Sequence, residues 1–511
     1  MITLTGETLT LDALIAISRD KQMVTISETA KKNCIESRKS VEKILEDRHV
    51  VYGINTGFGS LSDVRVGDSD LGDLQHNLLR SHACGSGELL DQDIIRGMMV
   101  LRVNALIKGY SGVRFTLINQ LITYLNKDIV PVVYAQGSLG ASGDLVPLAH
   151  MALPLIGEGE VFDNATVRSA ASVLGEKGIK PIETLEAKEG LALINGTQAM
   201  TSIGAHTLYD AYKTLVHSGL SSGMTFEALD GIVDVFNYQI HAIRPHQGQM
   251  QIADQMRHIL KGSNNTTHQG EDHVQDAYSL RCIPQVHGAT LDALHHVHHL
   301  LDIEMNSVTD NPLIFTDSFQ ALSAGNFHGQ PLAMALDYMT VAISELANIS
   351  ERRLERLVNA GLNKKYPPFL TVEKGRNSGF MIVQYTAASL VSENKSLSHP
   401  ASVDSIPSSA NQEDHVSMGT IAARKAQKVL AHTRKVIALE LFTSAQAIDF
   451  KGPENLSPIM KHVHTIIRKE VPFIEEDTIM KPHMDAVENL LIQGAFEVNQ
   501  LEEKLWPTPS H

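Results

Sequence analysis

Residues 136–147 form a stretch of small and apolar side chains, QGSLGASGDLVP, which interrupts the helical pattern around it. Glycine-rich segments can adopt tight turns, and loops of this kind often carry binding and catalytic residues. Within the stretch, Ser142 supplies a hydroxyl group and Asp144 a carboxyl group. Ser142 lacks the second flanking glycine of a hydrolase nucleophile elbow, so the sequence does not favour a serine hydrolase.

A second glycine-rich stretch, residues 53–60, reads GINTGFGS. Gly57 and Gly59 begin like a dinucleotide-binding fingerprint, but Ser62 stands where its third glycine belongs. The sequence also lacks the Gly-Lys-Ser/Thr ending of a phosphate-binding loop. Neither common nucleotide-binding motif is therefore present.

A dense run of histidines is the other candidate for chemistry: His295, His296, His298 and His299. On a helix, His295 and His299 would share one face, which is the spacing of a two-histidine metal site. No HExxH glutamate accompanies them. We interpret the run as a polar or interface face of a long helix and predict no metal site.

The flanks of Ser142 give the first family signal, because residues 137–151 read GSLGASGDLVPLAHM. This string resembles the signature of the aromatic amino acid ammonia-lyases that depend on methylidene-imidazolone (MIO). Further strings of that family pattern follow in order and spacing along nearly the whole chain: YGINTGFG from Tyr52, ALINGTQ around Asn195, QDAYSLRCIPQ at 275–285, TDNPL at 309–313, GNFHG at 325–329, NSGFMIVQ at 377–384 and PASVDSIPSSANQEDHVSM at 400–418. The set is most similar to the histidine ammonia-lyase branch.

The resemblance implies that Ala141, Ser142 and Gly143 form MIO autocatalytically. The Gly143 nitrogen would attack the Ala141 carbonyl carbon, and two waters, one of them from the Ser142 hydroxyl, would be lost. The residue types suit this reaction, since Gly143 has no Cβ to obstruct a strained backbone. MIO would supply a strong electrophile, which ordinary side chains do not offer. No external cofactor is expected.

The resemblance also implies roles for other residues. Arg281 would bind the substrate carboxylate, which suits a two-point guanidinium contact. Tyr52 would remove the β-proton, although a phenol with a pKa of about 10 needs a stabilised phenolate for that task. Its structural alternative is a packed aromatic residue, and Tyr278 and Glu413 stay open as the base. The remaining implied residues orient substrate or electrophile, or support the loop: Tyr278, Asn195, Gln275, Phe327 and Asp144.

Substrate choice depends on two positions. Ser81-His82 resembles the pair typical of enzymes acting on histidine, where relatives acting on aromatic amino acids carry His-Leu or Phe-Leu. Glu413 suits an imidazole N–H, especially a protonated one. The expected reaction is L-histidine to trans-urocanate and ammonia. The alternatives are a tyrosine or phenylalanine ammonia-lyase or aminomutase on the same scaffold, a helical scaffold whose electrophile never forms, and a metal enzyme using the histidine run.

Long amphipathic helices must position these residues. Three- and four-residue apolar spacings predict helices over 338–358, 420–447 and 484–505, while short strands are expected at 2–4 and 50–52. We predict a mainly α protein, a long-helix bundle of the ammonia-lyase/fumarase-like type. A smaller N-terminal part, 1–200, would hold the glycine-rich loops, and 201–511 the helical bundle. The resemblance implies a homotetramer with active sites shared between subunits.

Composition narrows the class of protein. The 511 residues carry 43 Lys and Arg against 58 Asp and Glu, a net charge of −15 that argues against a nucleic-acid partner. The three cysteines are far apart and fit a reducing setting rather than a disulfide framework. The N-terminus shows no secretory signal, and the nearest candidate for a membrane span, 129–157, is broken by proline, glycine and charge. We therefore expect a cytoplasmic enzyme without a membrane span.

Overall fold

The computed structural model describes residues 1–47, 50–57, 66–67, 70–164, 166–363, 365–373, 375–496, 498, 500–501 and 505–506. Helices dominate this part of the chain, which confirms the predicted mainly α class. The helices are α1 (Leu11–Ser18), α2 (Glu28–Glu46), α3 (Leu71–His82), α4 (Gln92–Leu106), α5 (Phe115–Asn126), α6 (Leu145–Ala152), α7 (Ala170–Glu176), α8 (Glu189–Ile194), α9 (Gln198–Ala228), α10 (Tyr238–Ala242), α11 (Gln247–Ile259), α12 (Tyr278–Arg281), α13 (Ile283–Met305), α14 (Gln330–Val358), α15 (Ala360–Asn363), α16 (Met381–Leu397), α17 (Gly419–Lys451), α18 (Pro458–Glu470) and α19 (Lys481–Ile492).

The strands are short and form small separate sheets: β1 (Ile2–Leu4), β2 (Val24–Ile26), β3 (Ser86–Leu89), β4 (Val130–Pro131), β5 (Tyr134–Gln136), β6 (Glu160–Asp163), β7 (Thr166–Ser169), β8 (Leu313–Phe315) and β9 (Gln320–Leu322). β1 and β2 pair in parallel, with Ile2 opposite Val24. The antiparallel sheets are β3–β5, β4–β6–β7 and β8–β9. The predicted strand at 2–4 is confirmed, and β5 leads directly into the loop that carries Ser142.

Apolar stripes explain the long helices. On α14, the predicted core positions Met339, Ala342, Leu346 and Ile349 are all buried. The predicted stripe of α17 is buried along its whole length: Ala422, Ala426, Val429, Leu430, Ile437 and Leu441. Each Å² of apolar surface that is buried contributes about 25 cal/mol of stabilising free energy. Burial of one face therefore stabilises each helix far more than helix propensity alone does. Both helix predictions are confirmed.

Two local predictions are wrong. The helix expected over 484–505 ends at Ile492, because Gly494 adopts a left-handed φ of +65° and the amide of Ala495 closes on the carbonyl of Leu490. Residues 50–52 form no strand; instead the carbonyl of Val51 accepts the amides of Ile54 and Asn55 in a turn. Phe58, Gly59 and Ser60 of the glycine-rich stretch, and Ser62 after it, lie outside the described residues.

The described chain divides into two compact units. The first comprises Met1–His206, His298–Asp337 and Pro400–Arg424, and the second comprises Thr207–Val297, Tyr338–His399 and Lys425–His511. Both units are discontinuous in sequence, because several long helices contribute residues to each of them. The division into 1–200 and 201–511 stays a prediction of the sequence.

α14 is long and apolar enough, by length and composition alone, to cross a membrane. This differs from the sequence analysis, in which 129–157 was the nearest candidate. In the structure, 67% of its most apolar window is buried inside the protein, as in the core helix of a globular fold.

Candidate active site

The loop between β5 and α6 is held against a second backbone segment at Gly143. Gly143 adopts a φ of +74°, and a Cβ built on it would lie 2.5 Å from the carbonyl carbon of Gly196 and closer still to its oxygen. The two glycines form a parallel β-bridge, and the amide of Asp144 donates to the Gly196 carbonyl at 2.7 Å. Only a residue without a side chain at position 143 permits this approach of the two backbones.

The other side of the loop is held by the segment that begins α17. The amide and the hydroxyl of Ser417 both donate to the carbonyl of Gly140, each at 3.2 Å. The amide of Met418 donates to the carbonyl of Leu139 at 2.9 Å. Gly140 also has a left-handed φ, +68°, and leaves no room for a Cβ beside the Ser417 hydroxyl. The loop is therefore clamped from two directions.

Asp144 anchors the end of this loop. Its carboxylate is fully buried and accepts hydrogen bonds from the hydroxyl of Thr420 and from the amide of Met200, the latter at 2.9 Å. Burial raises the pKa of Asp144 to about 6, and these hydrogen bonds oppose the rise. The side chain thereby joins the loop to the beginnings of α9 and α17.

Two residues singled out in the sequence, Glu413 and Asn195, contact Ser142. Its hydroxyl donates to Oε1 of Glu413 at 2.9 Å, and its carbonyl accepts from Nδ2 of Asn195 at 3.3 Å. The second carboxylate oxygen of Glu413 accepts from the hydroxyl of Ser408 at 3.0 Å, and the backbones of Ser408 and Glu413 form a bridge. Glu413 is thus fixed beside the Ser142 hydroxyl.

His82 lies at the C-terminal end of α3. Its Nδ1 donates to the carbonyl of Leu78 at 2.9 Å, so the neutral ring keeps Nε2 as a hydrogen-bond acceptor. Burial lowers the pKa of His82, and the Leu78 carbonyl and the charge of Glu413 oppose that shift. The Glu413 carboxylate therefore lies near enough to the His82 imidazole to influence its protonation.

Two further predicted residues lie in irregular segments of the same unit. Tyr52 is half-buried in the turn after Val51, and Phe327 is half-buried between β9 and α14. His328, next to Phe327, stacks its ring on that of His415 at 5.8 Å and its Nε2 donates to the His415 carbonyl at 3.1 Å. The roles given to Tyr52 and Phe327 stay predictions.

Gln275, Tyr278 and Arg281 belong to the second compact unit. The guanidinium of Arg281 lies over the Tyr278 ring, 4.5 Å from its centroid, in a cation–π contact. Arg353, fully buried and paired with Glu440, also reaches the carbonyl of Ser279 at 3.4 Å. The structure thus brings Arg281 and Tyr278 together, while the roles of all three residues stay predictions.

Several residues of the site escaped the sequence analysis. They hold the loop or its neighbours rather than react: Arg102, Ser138, Gly140, Gly196, Ser408, Ser417 and Thr420. Arg102 was the most detectable, because a charged residue inside the apolar run of α4 needs a buried partner. The others carry no signal of their own, since isolated serines, threonines and glycines are common everywhere.

The histidine run makes ordinary protein contacts. Nε2 of His295 donates to the carbonyl of Leu505 at 2.8 Å, and His298 lies 3.6 Å from the carboxylate of Asp302. Among the described residues, no group of three or more His, Cys, Asp or Glu side chains is arranged to hold a metal ion.

The chain is similar to known proteins over nearly its whole length. Residues 9–469 match the family described as aromatic amino acid lyase. The chain is 52% identical, over 96% of its length and 97% of the relative's, to a histidine ammonia-lyase of Bacillus cereus. It is also similar to the crystal structure of histidine ammonia-lyase from Trypanosoma cruzi, with a TM-score of 0.90, 42% identity and coverage of 99% and 96% of the two chains. The tyrosine aminomutase of Streptomyces globisporus gives a TM-score of 0.94 with 37% identity over 100% of both chains. The chain belongs to the aromatic amino acid lyase family.

Proposed function

We propose that the chain eliminates ammonia from L-histidine to give trans-urocanate, the first step of histidine degradation. The observation that carries this proposal is the hydrogen bond between Ser142 and Glu413. It joins the residue from which an electrophile would form to a carboxylate suited to an imidazole substrate. The 52% identity to a histidine ammonia-lyase supports the same choice.

We infer that Ala141, Ser142 and Gly143 form MIO, without any external cofactor. Their surroundings fit the group, because the bare backbones of Gly143 and Gly196 touch and both flanks of the loop are hydrogen-bonded. A clamp of this kind favours the compressed turn that cyclisation requires. Once formed, MIO supplies the electrophile that activates the substrate amine as a leaving group.

The chain's own residues would orient the substrate and handle its protons. Arg281 would take the carboxylate at two points, with Gln275 as a further hydrogen-bonding partner. Asn195 would face the amine side, since its amide already contacts Ser142. Phe327 would pack against the electrophile. Tyr52, Tyr278 and Glu413 are the candidates for removing the β-proton.

Specificity for histidine would come from His82 and Glu413. A neutral His82 offers Nε2 as an acceptor for an imidazole N–H, and Glu413 offers a carboxylate. The phenyl ring of phenylalanine could satisfy neither group, and a polar group that the bound substrate covers and leaves unpaired costs about 1–3 kcal/mol. This reasoning disfavours phenylalanine. The hydroxyl of tyrosine could donate to one of the two groups but would leave the other without a partner.

We also propose that the chain forms a homotetramer whose subunits share active sites, and that the enzyme is cytoplasmic. On α14, Met334, Tyr338 and Val341 are spaced four and three residues apart and are 61%, 50% and 44% exposed in the single chain. An exposed apolar stripe of this kind is typical of a subunit interface. The free, exposed thiol of Cys84 fits a reducing compartment.

The test compares the wild type with Ser142→Ala. Each protein is incubated with L-histidine, L-tyrosine or L-phenylalanine while ultraviolet absorbance, ammonia release and any β-amino acid are followed. We expect conjugated product and ammonia from histidine in the wild type alone. An intact mass two waters, about 36 Da, below the sequence value should be seen in the wild type and not in the variant.

Three results would contradict the proposal. Preferred turnover of tyrosine or phenylalanine would point to an aromatic amino acid lyase, and a β-amino acid product without ammonia to an aminomutase. Full activity in Ser142→Ala would remove the MIO hypothesis.

A further inference from the structure

Arg102 is a fully buried arginine on α4. It contacts the Asn195–Gly196 segment, which is hydrogen-bonded to the loop between β5 and α6. Its Nη1 donates to the carbonyl of Asn195 at 2.7 Å. A Cβ built on Gly196 would lie 2.7 Å from this nitrogen, so the guanidinium packs against the glycine itself. The proposed mechanism assigns nothing to this side chain.

Two hydrogen bonds connect the Asn195–Gly196 segment to the loop. Nδ2 of Asn195 donates to the carbonyl of Ser142, and the carbonyl of Gly196 accepts from the amide of Asp144. The segment is therefore held between Arg102 on one side and residues 142–144 on the other. A shift of Asn195 away from Arg102 would change both contacts to the loop.

Stability alone does not account for a charge at this place. Arg102 has one hydrogen bond, and its Nε and Nη2 are buried without a partner among the described residues. Burial lowers the pKa of Arg102 to about 10, opposed by the charge of Asp310, so the group stays protonated near neutrality. Asp310 is itself paired with the fully buried Lys188, 2.6 Å away. Burying a poorly compensated cation costs free energy that an apolar residue would not.

We propose that Arg102 is a positioning residue, which holds Asn195 and Gly196 against residues 142–144 so that the electrophile forms and meets the substrate amine. This inference rests on the proposed function. Arg102 acts through Asn195 and touches neither substrate nor Ser142. Its loss should therefore slow two events: maturation of the loop and turnover by the matured enzyme.

Arg96 provides a matched control on the same helix. It is also buried, and it donates to the carbonyls of Ser18, Ile17 and Leu125 and to the carboxylate of Asp128. Arg96 has more hydrogen bonds than Arg102 and none to the loop. Its replacement should reduce stability at least as much without a specific effect on maturation.

The experiment compares four variants of the full chain: Arg102→Met, Arg102→Lys, Arg96→Met and Arg96→Lys. Intact mass gives the fraction that has lost two waters, unfolding curves give stability, and kcat and KM for L-histidine are calculated per matured chain. We expect the Arg102→Met protein to fold but to mature incompletely, with kcat at least about tenfold lower. Arg102→Lys should recover part of both, and the Arg96 variants should mature fully.

The possible outcomes distinguish a failure of the positioning role of Arg102 from a failure of the proposed function. Full maturation and unchanged kcat in Arg102→Met, or the same maturation defect in Arg96→Met at equal loss of stability, would overturn the positioning role alone. If Arg102→Met does not fold, the test is the comparison of Arg102→Lys with Arg96→Lys. Equal maturation of these two variants would overturn the positioning role. A wild type that never loses two waters and never converts histidine would overturn both proposals.

Discussion

Gly143→Ala is the sharpest test of the backbone contact on which the site depends. The new Cβ would stand 2.5 Å from the carbonyl carbon of Gly196, about 1 Å inside an ordinary carbon–carbon contact. The loop must therefore move away from Gly196 by a comparable distance. That movement breaks the hydrogen bond from Asp144 to Gly196 and the bridge between the two glycines.

The cost can be divided into parts. An alanine at a φ of +74° costs about 1–2 kcal/mol in backbone strain. The lost hydrogen bond adds about 0.5–1.5 kcal/mol. Together they predict a destabilisation of about 1.5–3.5 kcal/mol, and the displaced loop should not cyclise. Chemical unfolding monitored by circular dichroism measures the first effect, and intact mass measures the second.

Gly178→Ala isolates the contribution of strain. Gly178 has a φ of +64°, and a Cβ built there meets nothing within 4 Å. Its alanine variant should lose only the strain energy and should mature fully. A Gly143→Ala variant that is no less stable than Gly178→Ala and still loses two waters would show that the site does not depend on this contact.

Three more predictions concern Asp144, the buried Arg353–Glu440 ion pair, and His82 with Glu413. The pKa of Asp144, about 6 in the folded protein, lies above its ordinary 3.8, so the folded state binds this proton more tightly and loses stability as pH rises between these values. Relative to Asp144→Asn, the wild type should lose about 3 kcal/mol over that interval, measured as unfolding free energy against pH. Arg353→Met should cost about 3–5 kcal/mol in thermal unfolding, because it leaves Glu440 buried without its cation. His82→Leu with Glu413→Gln should lower the kcat/KM ratio of histidine to tyrosine, with non-additive effects in the double variant.

Each of the three has a contradicting result. Parallel pH profiles for the wild type and Asp144→Asn would show that Asp144 does not titrate in this interval. Lys39→Met, which removes an exposed ion pair with Glu36, should cost less than about 1 kcal/mol, and an equal loss in Arg353→Met would contradict the buried-pair argument. A constant substrate ratio across the wild type, both single variants and the double variant would show that His82 and Glu413 do not set specificity.

The parts of the fold that could be predicted from the sequence are those that follow from local residue patterns. The stripes on α14 and α17 repeat every three to four residues, so they identify long helices without any knowledge of their neighbours. The glycine-rich string around Ser142 identified the loop for a similar reason, because its composition excludes a regular helix. The local errors occurred where one residue decided the outcome, as with the left-handed Gly494 that ends α19.

Motifs along the chain name the candidate site residues, but the contacts between them follow from the packing of distant segments. Ser142 and Glu413 are 271 positions apart, and Arg102 and Asn195 are 93 apart. Spacings of that size carry no directional information, because the path of the chain between such residues depends on the packing of every intervening helix. The contact of Gly143 with Gly196 likewise depends on how two loops close on each other. Arg102 can position Asn195 only because packing places the Asn195 carbonyl within hydrogen-bonding distance. On a solvent-exposed face the same guanidinium would be hydrated instead.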